Sequence, residues 1–253
     1  MTARIALITG GNRGLGRATA LAVAENGIDV IITYRSHADE AAAVVDEVRA
    51  LGRTAVALQL DTSRIVEFGP FSTQLREVLA ATWQRDTFDY LVNNAGSAAL
   101  TPLGQTDEAA FDQMVDVHFK GVYFLTQELE PLLADNGRVI LTSTGLARFV
   151  GIGPYSIYAS VKGAVEVLTR YLAKQLGARG ITVNAVAPGP VATDFGGGRV
   201  RDDAEMRTAM GSQTALGRVG EAEDIGPVTA ALLGDGMSWV TGQRIEASGG
   251  TLL

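Results

Sequence analysis

Residues 4–16 read Arg4-Ile5-Ala6-Leu7-Ile8-Thr9-Gly10-Gly11-Asn12-Arg13-Gly14-Leu15-Gly16, an apolar run that ends in a turn holding four glycines. Arg4 to Thr9 has the isoleucine and leucine content of a strand buried on both faces in a parallel sheet. Arg17 to Glu25 is compatible with a helix, and Gly27 is a suitable stop for it. Strand, glycine turn and helix in this order is the setting in which such a turn binds a dinucleotide. Glycines let the backbone approach a pyrophosphate, and the helix start offers N–H groups and the positive end of its dipole. Contacts to a cofactor are therefore expected from Gly10, Asn12, Arg13, Gly14, Leu15 and Gly16. The glycine spacing of 10, 14 and 16 departs from G-x-G-x-x-G, so a purely structural turn is the competing reading.

Working outward, Ile28 to Tyr34 reads as a second strand. At its end, where an NAD site places an acid on the ribose 2′-hydroxyl, this chain has Tyr34-Arg35-Ser36. Arg35 and Ser36, with Arg13 closing over from the glycine turn, can hold a 2′-phosphate by charge and fork geometry. NADP(H) is the preferred cofactor on this reading, with NAD(H) possible; two solvated surface arginines are the bland alternative. Asp39 to Leu51 is helical and stopped by Gly52, and Thr54 to Leu60 is a third strand ending at Asp61, placed either to contact the adenine or to cap the next turn. Phe71 to Trp83 is a helix without readable chemistry. Asp89 to Val92 is a fourth strand that runs into Asn93-Asn94-Ala95-Gly96, small and amide residues suited to a loop beside a cofactor.

Further along, Tyr158-Ala159-Ser160-Val161-Lys162 puts a phenol and an ammonium one helical turn apart on the same face. A neighbouring ammonium favours phenolate and draws the tyrosine pKa down from near 10, which would make the pair a proton-transfer catalyst. The other tyrosines, at 34, 90, 123, 155 and 171, have no lysine four residues on. The same helix continues through Val165, Leu168, Tyr171, Leu172 and Leu176 as a packing stripe. Between the fourth strand and this helix, Thr106 with Asp107 and Glu108 opens a helix, and Arg138 to Thr142 is a fifth strand leading into Ser143-Thr144-Gly145. Ile181 to Ala187 is a sixth strand, Glu221 to Leu233 a last helix, and Arg244 to Ala247 a closing strand.

Composition excludes much else. The chain has 253 residues, enough for one large α/β domain, with 47% hydrophobic residues to fill its core. A net charge of −7 argues against nucleic acid or an anionic membrane as the main partner. With no cysteine and two histidines, His37 and His118, neither a thiolate nor a histidine-rich metal site is expected. The first ten residues hold too short an apolar run for a signal peptide, and no run approaches the roughly 20 residues of a membrane span, so a soluble cytoplasmic protein is expected.

Three motifs in order, Thr9-Gly10-x-x-x-Gly14-x-Gly16, Asn93-Asn94-Ala95-Gly96 and Tyr158-x-x-x-Lys162, resemble the short-chain dehydrogenase/reductase family in its compact form, and the likeness covers essentially the whole chain. The resemblance implies a single-domain, Rossmann-like doubly wound α/β sheet over residues 1–253, with about seven mostly parallel strands and helices on both faces. It implies hydride transfer between NADP(H) and a small-molecule carbonyl or secondary alcohol. Tyr158 would be the general acid/base, and Lys162 would lower its pKa and bond the nicotinamide ribose. Asn93, Ala95 and Gly96 would brace or border the cofactor. Pro188, Gly189, Val191 and Thr193 match the loop beside the nicotinamide, and Asp194 to Gly217 a mobile lid over the substrate. A serine usually orients the substrate oxygen; here Ser143 fits by residue type and Thr144 by register, fourteen residues before Tyr158, one more than is usual. His118 stands where the family usually has an asparagine in a proton relay, and an imidazole titrating near neutrality would relay protons directly. The family is usually homo-oligomeric, as tetramer or dimer. A cofactor-binding scaffold or nucleotide sensor without catalysis is the alternative; an epimerase or dehydratase is disfavoured because the chain lacks the longer C-terminal substrate region of such relatives.

Overall fold

The computed structural model describes residues 3–253. Seven strands, β1 (Ile5–Ile8), β2 (Asp29–Tyr34), β3 (Ala55–Gln59), β4 (Phe88–Asn93), β5 (Leu133–Thr142), β6 (Thr182–Pro188) and β7 (Arg244–Ala247), form one sheet in the order β3-β2-β1-β4-β5-β6-β7. Every pairing is parallel. The helices are α1 (Gly14–Glu25), α2 (Ala38–Ala50), α3 (Phe68–Trp83), α4 (Glu108–Val115), α5 (Gly121–Leu129), α6 (Ser156–Leu176), α7 (Arg199–Asp202), α8 (Ala204–Gly211) and α9 (Ala222–Leu233).

Because side chains alternate along a strand, β1 feeds two cores. Ile5 and Leu7 join Leu75, Leu125, Val165 and Leu172 beneath α3, α5 and α6. Ala6 and Ile8 join Val23, Val44, Val48 and Ile225 beneath α1, α2 and α9. Covering both faces makes the strands continuously apolar, as β1 and β6 are, each buried at every position. Each fully buried leucine or isoleucine contributes about 1.5–3 kcal/mol relative to exposure. No helix among the described residues is long and apolar enough to cross a membrane.

Several boundaries differ from the sequence expectation, among them the start of α1 at Gly14 rather than Arg17. Helix α3 begins at Phe68 rather than Phe71, with Pro70 in a first turn where a missing N–H costs nothing. Strand β5 begins at Leu133 rather than Arg138: Leu133 pairs with Phe88 ahead of a register shift, and Asn136 takes the left-handed conformation that asparagine tolerates. Asp107, not Thr106, caps α4, its Oδ1 accepting from Ala110 N at 2.8 Å. Between α4 and α5 the chain widens into a π turn over Asp116–Lys120. The strand order reverses between β1 and β4, and there the C-terminal strand ends open a crevice, the usual ligand position in such sheets.

Candidate active site

A cleft of about 740 Å³ runs along these strand ends. One end is built by the glycine turn. Thr9 Oγ1 accepts from the backbone N–H of both Asn94 and Ala95 at 2.9 Å, tying β1 to β4. Asn94 Nδ2 donates to Thr9 O at 3.0 Å and Gly10 O at 3.2 Å, fixing the turn's path. A Cβ on Gly16 would lie 2.1 Å from Gly10 O, so only glycine lets α1 start this close to the turn. That start has no side-chain cap, which leaves first-turn N–H groups directed at the cleft.

Gly10, Asn12, Arg13, Gly14, Leu15, Gly16, Arg35, Ser36, Asp61, Ala95, Gly96, Pro188, Gly189, Val191 and Thr193 all line the cleft. Arg13 and Arg35 are exposed, and among the described residues neither has a carboxylate within ion-pair distance. Asp61 lines the wall and also caps its turn, accepting from Ser63 N at 3.0 Å and Ser63 Oγ at 2.7 Å. Asn93 is a correction. Its side chain is buried away from the cleft and donates to Thr126 Oγ1 on α5 at 3.0 Å, and it is the next residue, Asn94, that braces the glycine turn. Strand alternation, which sends residues 93 and 94 to opposite sides, was the signal available.

Tyr158, Lys162, Ser143, Thr144 and His118 converge on the other end. Lys162 Nζ donates to Thr142 O at 2.6 Å and lies 5.9 Å from the centre of the Tyr158 ring. Burial pushes the Lys162 amine down to about 7. Burial also raises the Tyr158 pKa, with Thr144 beside it pulling the other way and Tyr155 adding to the rise. The lowering of the phenol expected from Lys162 is therefore not seen here: both groups are almost fully buried, and desolvation is the largest influence on each.

Ser143 Oγ donates to Glu166 Oε1 on α6 at 2.6 Å, and Glu166 is held in turn by Arg244 Nε. Arg244 also donates to Thr144 O at 3.1 Å, so the loop after β5 is pinned from behind. Thr144 keeps its hydroxyl beside Tyr158 while accepting from Leu146 N at 3.3 Å.

The π turn turns His118 inward, edge-on to the Tyr158 ring at 5.1 Å. Its Nε2 lies 2.6 Å from Ser97 O, which makes Nε2 the donor and leaves Nδ1 as a buried acceptor with no partner among the described residues. Burial first, then the Lys162 charge, holds His118 at about 3. The near-neutral titration expected of this imidazole is thus overturned, and it stays uncharged at physiological pH. Sequence reasoning passed over Phe149, Ile152, Tyr155 and Phe195, which wall the Tyr158 end; they lie in loops, where no period marks a side chain as facing inward.

The doubly wound sheet thus carries one cleft across its C-terminal strand ends, lined by the glycine turn and by a tyrosine and a lysine one helical turn apart. A family model described as enoyl-(acyl carrier protein) reductase matches residues 10–251. The hydroxynaphthalene reductase-like protein Arp2 of Metarhizium brunneum is 33% identical over 263 residues, covering 100% of this chain and 96% of the relative. The 3-oxoacyl-[acyl-carrier-protein] reductase FabG of Staphylococcus epidermidis is 35% identical over 246 residues, covering 97% of each. Among solved structures, the angucycline C-6 ketoreductase LanV with bound NADP superposes with a TM-score of 0.92 at 32% identity, over 98% of this chain and 95% of that one. The chain belongs to the short-chain dehydrogenase/reductase family.

Proposed function

We propose that this protein is an NADP(H)-dependent oxidoreductase that interconverts a carbonyl compound and a secondary alcohol, with Tyr158 as the general acid/base. The observation that carries the proposal is one cleft with Tyr158, Lys162 and the Thr144 hydroxyl at one end and the unpaired Arg13 and Arg35 at the other. The residues fit the cofactor: an uncapped helix start suits a pyrophosphate, and two unpaired guanidiniums with Ser36 suit a 2′-phosphate. The NADP-bound ketoreductase among the structural relatives supports the same choice.

When bound, the nicotinamide supplies or accepts hydride at the substrate carbon. Everything else falls to this chain. Its raised pKa keeps Tyr158 a neutral phenol at physiological pH, the form that donates to a carbonyl oxygen as negative charge grows there. The transfer is favourable because an alkoxide is a stronger base than a phenolate. Thr144 donates to the same oxygen and orients it. Lys162, anchored on Thr142 O, has further hydrogens for the nicotinamide ribose, and neutral His118 offers Nδ1 to a proton chain behind the phenol. The exposed Val167 and Tyr171 on α6, and Phe111, Tyr123 and Phe124 on α4 and α5, supply apolar surface for a second copy of the chain.

The test is consumption of NADPH and NADH by the purified protein on a panel of ketones and aldehydes. Turnover with NADPH exceeding that with NADH is the expected result. Tight NADPH binding without turnover of any carbonyl would favour the non-catalytic scaffold instead.

A further inference from the structure

The substrate end of the cleft is walled by rings. Phe195, on the lid segment, sits 5.6 Å from the Tyr158 ring at a 51° tilt, and Tyr155 meets Tyr158 at 6.4 Å from the opposite side of the sequence, in the loop before α6. Phe149 lies over Gly145, where an added Cβ would come within 2.8 Å of its ring. Ile152 and Phe195 line this wall yet remain 46% and 44% exposed, apolar surface that a ligand would cover. The charged side chains that line this outer half are Asp194 and Arg201, and they are spent on each other, with Arg201 also donating to Asp202 at 2.7 and 2.8 Å. Apart from Lys162, which is engaged by Thr142 O, no unpaired cation among the described lining residues of this half waits for a carboxylate or phosphate.

Resting on the reductase reading above, we infer that the substrate is an uncharged ketone fused to an aromatic ring, held between Phe195 and the Tyr155 and Phe149 rings. Aromatic walls favour a flat π system through offset and edge-to-face contacts, whereas an aliphatic chain gains only its buried area. A neutral slot also disfavours keto acids, whose carboxylate would be desolvated without a partner. In the reaction the carbonyl carbon receives hydride from NADPH, the C=O π pair moves to oxygen, and that oxygen takes the Tyr158 proton, giving the secondary alcohol and NADP⁺.

The experiment compares initial rates with NADPH on 2-tetralone, on 2-decanone, which has the same carbon count, and on levulinate. In parallel, 2-naphthol binding is measured by calorimetry. We expect kcat/KM on 2-tetralone to exceed that on 2-decanone by about tenfold or more, the size of two aromatic contacts, with levulinate not turned over. Phe195→Ala should raise KM for 2-tetralone and weaken 2-naphthol binding by a similar factor, and should raise KM for 2-decanone by a clearly smaller one. Tyr155→Leu serves as a second, independent variant and should act the same way. If 2-decanone or levulinate is used as well as 2-tetralone, or if both variants affect all ketones equally, the aromatic slot is wrong while the reductase reading stands. If no ketone consumes NADPH, both fall.

Discussion

Ser143 gives its hydroxyl proton to Glu166 at 2.6 Å, which commits that side chain to the α6 carboxylate rather than to Tyr158. Thr144, the next residue, keeps its hydroxyl beside the phenol, where it draws the Tyr158 pKa down against burial. The two candidates are therefore separable. Ser143→Ala should leave kcat/KM within about threefold, because Arg244 still holds Glu166, whereas Thr144→Ala should lose on the order of 10²-fold by removing a donor to the developing oxyanion. Thr144→Ser should restore most of the activity. Equal losses in Ser143→Ala and Thr144→Ala would contradict this division of labour.

The phosphate clamp predicts selectivity, and equilibrium binding can read it. Arg13→Ala and Arg35→Ala should each weaken NADPH by about tenfold or more, roughly 1.4 kcal/mol, and leave NADH nearly unchanged. Titration of nicotinamide fluorescence measures both. Equal weakening of the two cofactors would mean the arginines serve the fold or the pyrophosphate and not the 2′-phosphate.

Burial of His118 ties stability to pH. Its folded pKa is about 3, against an ordinary value of 6.5. Between those values the unfolded chain binds a proton that the folded chain refuses, so stability is complete above about pH 6.5 and falls as pH drops toward 3. At about 1.4 kcal/mol per unit, the full window is worth up to about 5 kcal/mol. His118→Asn should flatten that acid limb. Urea midpoints measured at several pH values for both proteins test the point, and an unchanged slope in the variant would count against it.

Gly16 tests the cofactor end through backbone alone. An added methyl meets Gly10 O at 2.1 Å, so Gly16→Ala must displace the turn or the start of α1. The expected result is a loss of NADPH affinity on the order of 10²-fold with a drop in stability of about 1–3 kcal/mol. Affinity within a factor of two of the parent would show that the turn adapts without cost.

The frame of the molecule was legible because strands buried on both faces write themselves as unbroken apolar runs, and helices such as α2 and α9 carry an acidic start and a glycine stop. Ile5–Ile8 and Thr182–Pro188 are plain examples. The glycine turn was legible for a related reason: its close backbone approaches demand glycine at particular places, as at Gly16. What stayed hidden depends on direction. Asn93 and Asn94 look interchangeable in sequence, yet one faces Thr126 and the other Gly10. Ser143 and Thr144 differ in the same way. The pKa expectations for His118 and the Tyr158–Lys162 pair missed because they weighed neighbouring charge and not burial, which dominates for side chains this enclosed. The rings of Phe149, Tyr155 and Phe195 escaped notice because loop residues carry no periodic sign of the side they face.

The most direct test of the central claim is Tyr158→Phe, assayed for both NADPH binding and ketone reduction. The substitution keeps the ring that packs against His118 and Phe195 and removes only the proton donor. If Tyr158 is the general acid, NADPH affinity stays within about twofold while turnover falls on the order of 10³-fold or more, with the residual rate independent of the phenol. Full turnover in Tyr158→Phe, with cofactor binding intact, would contradict the account.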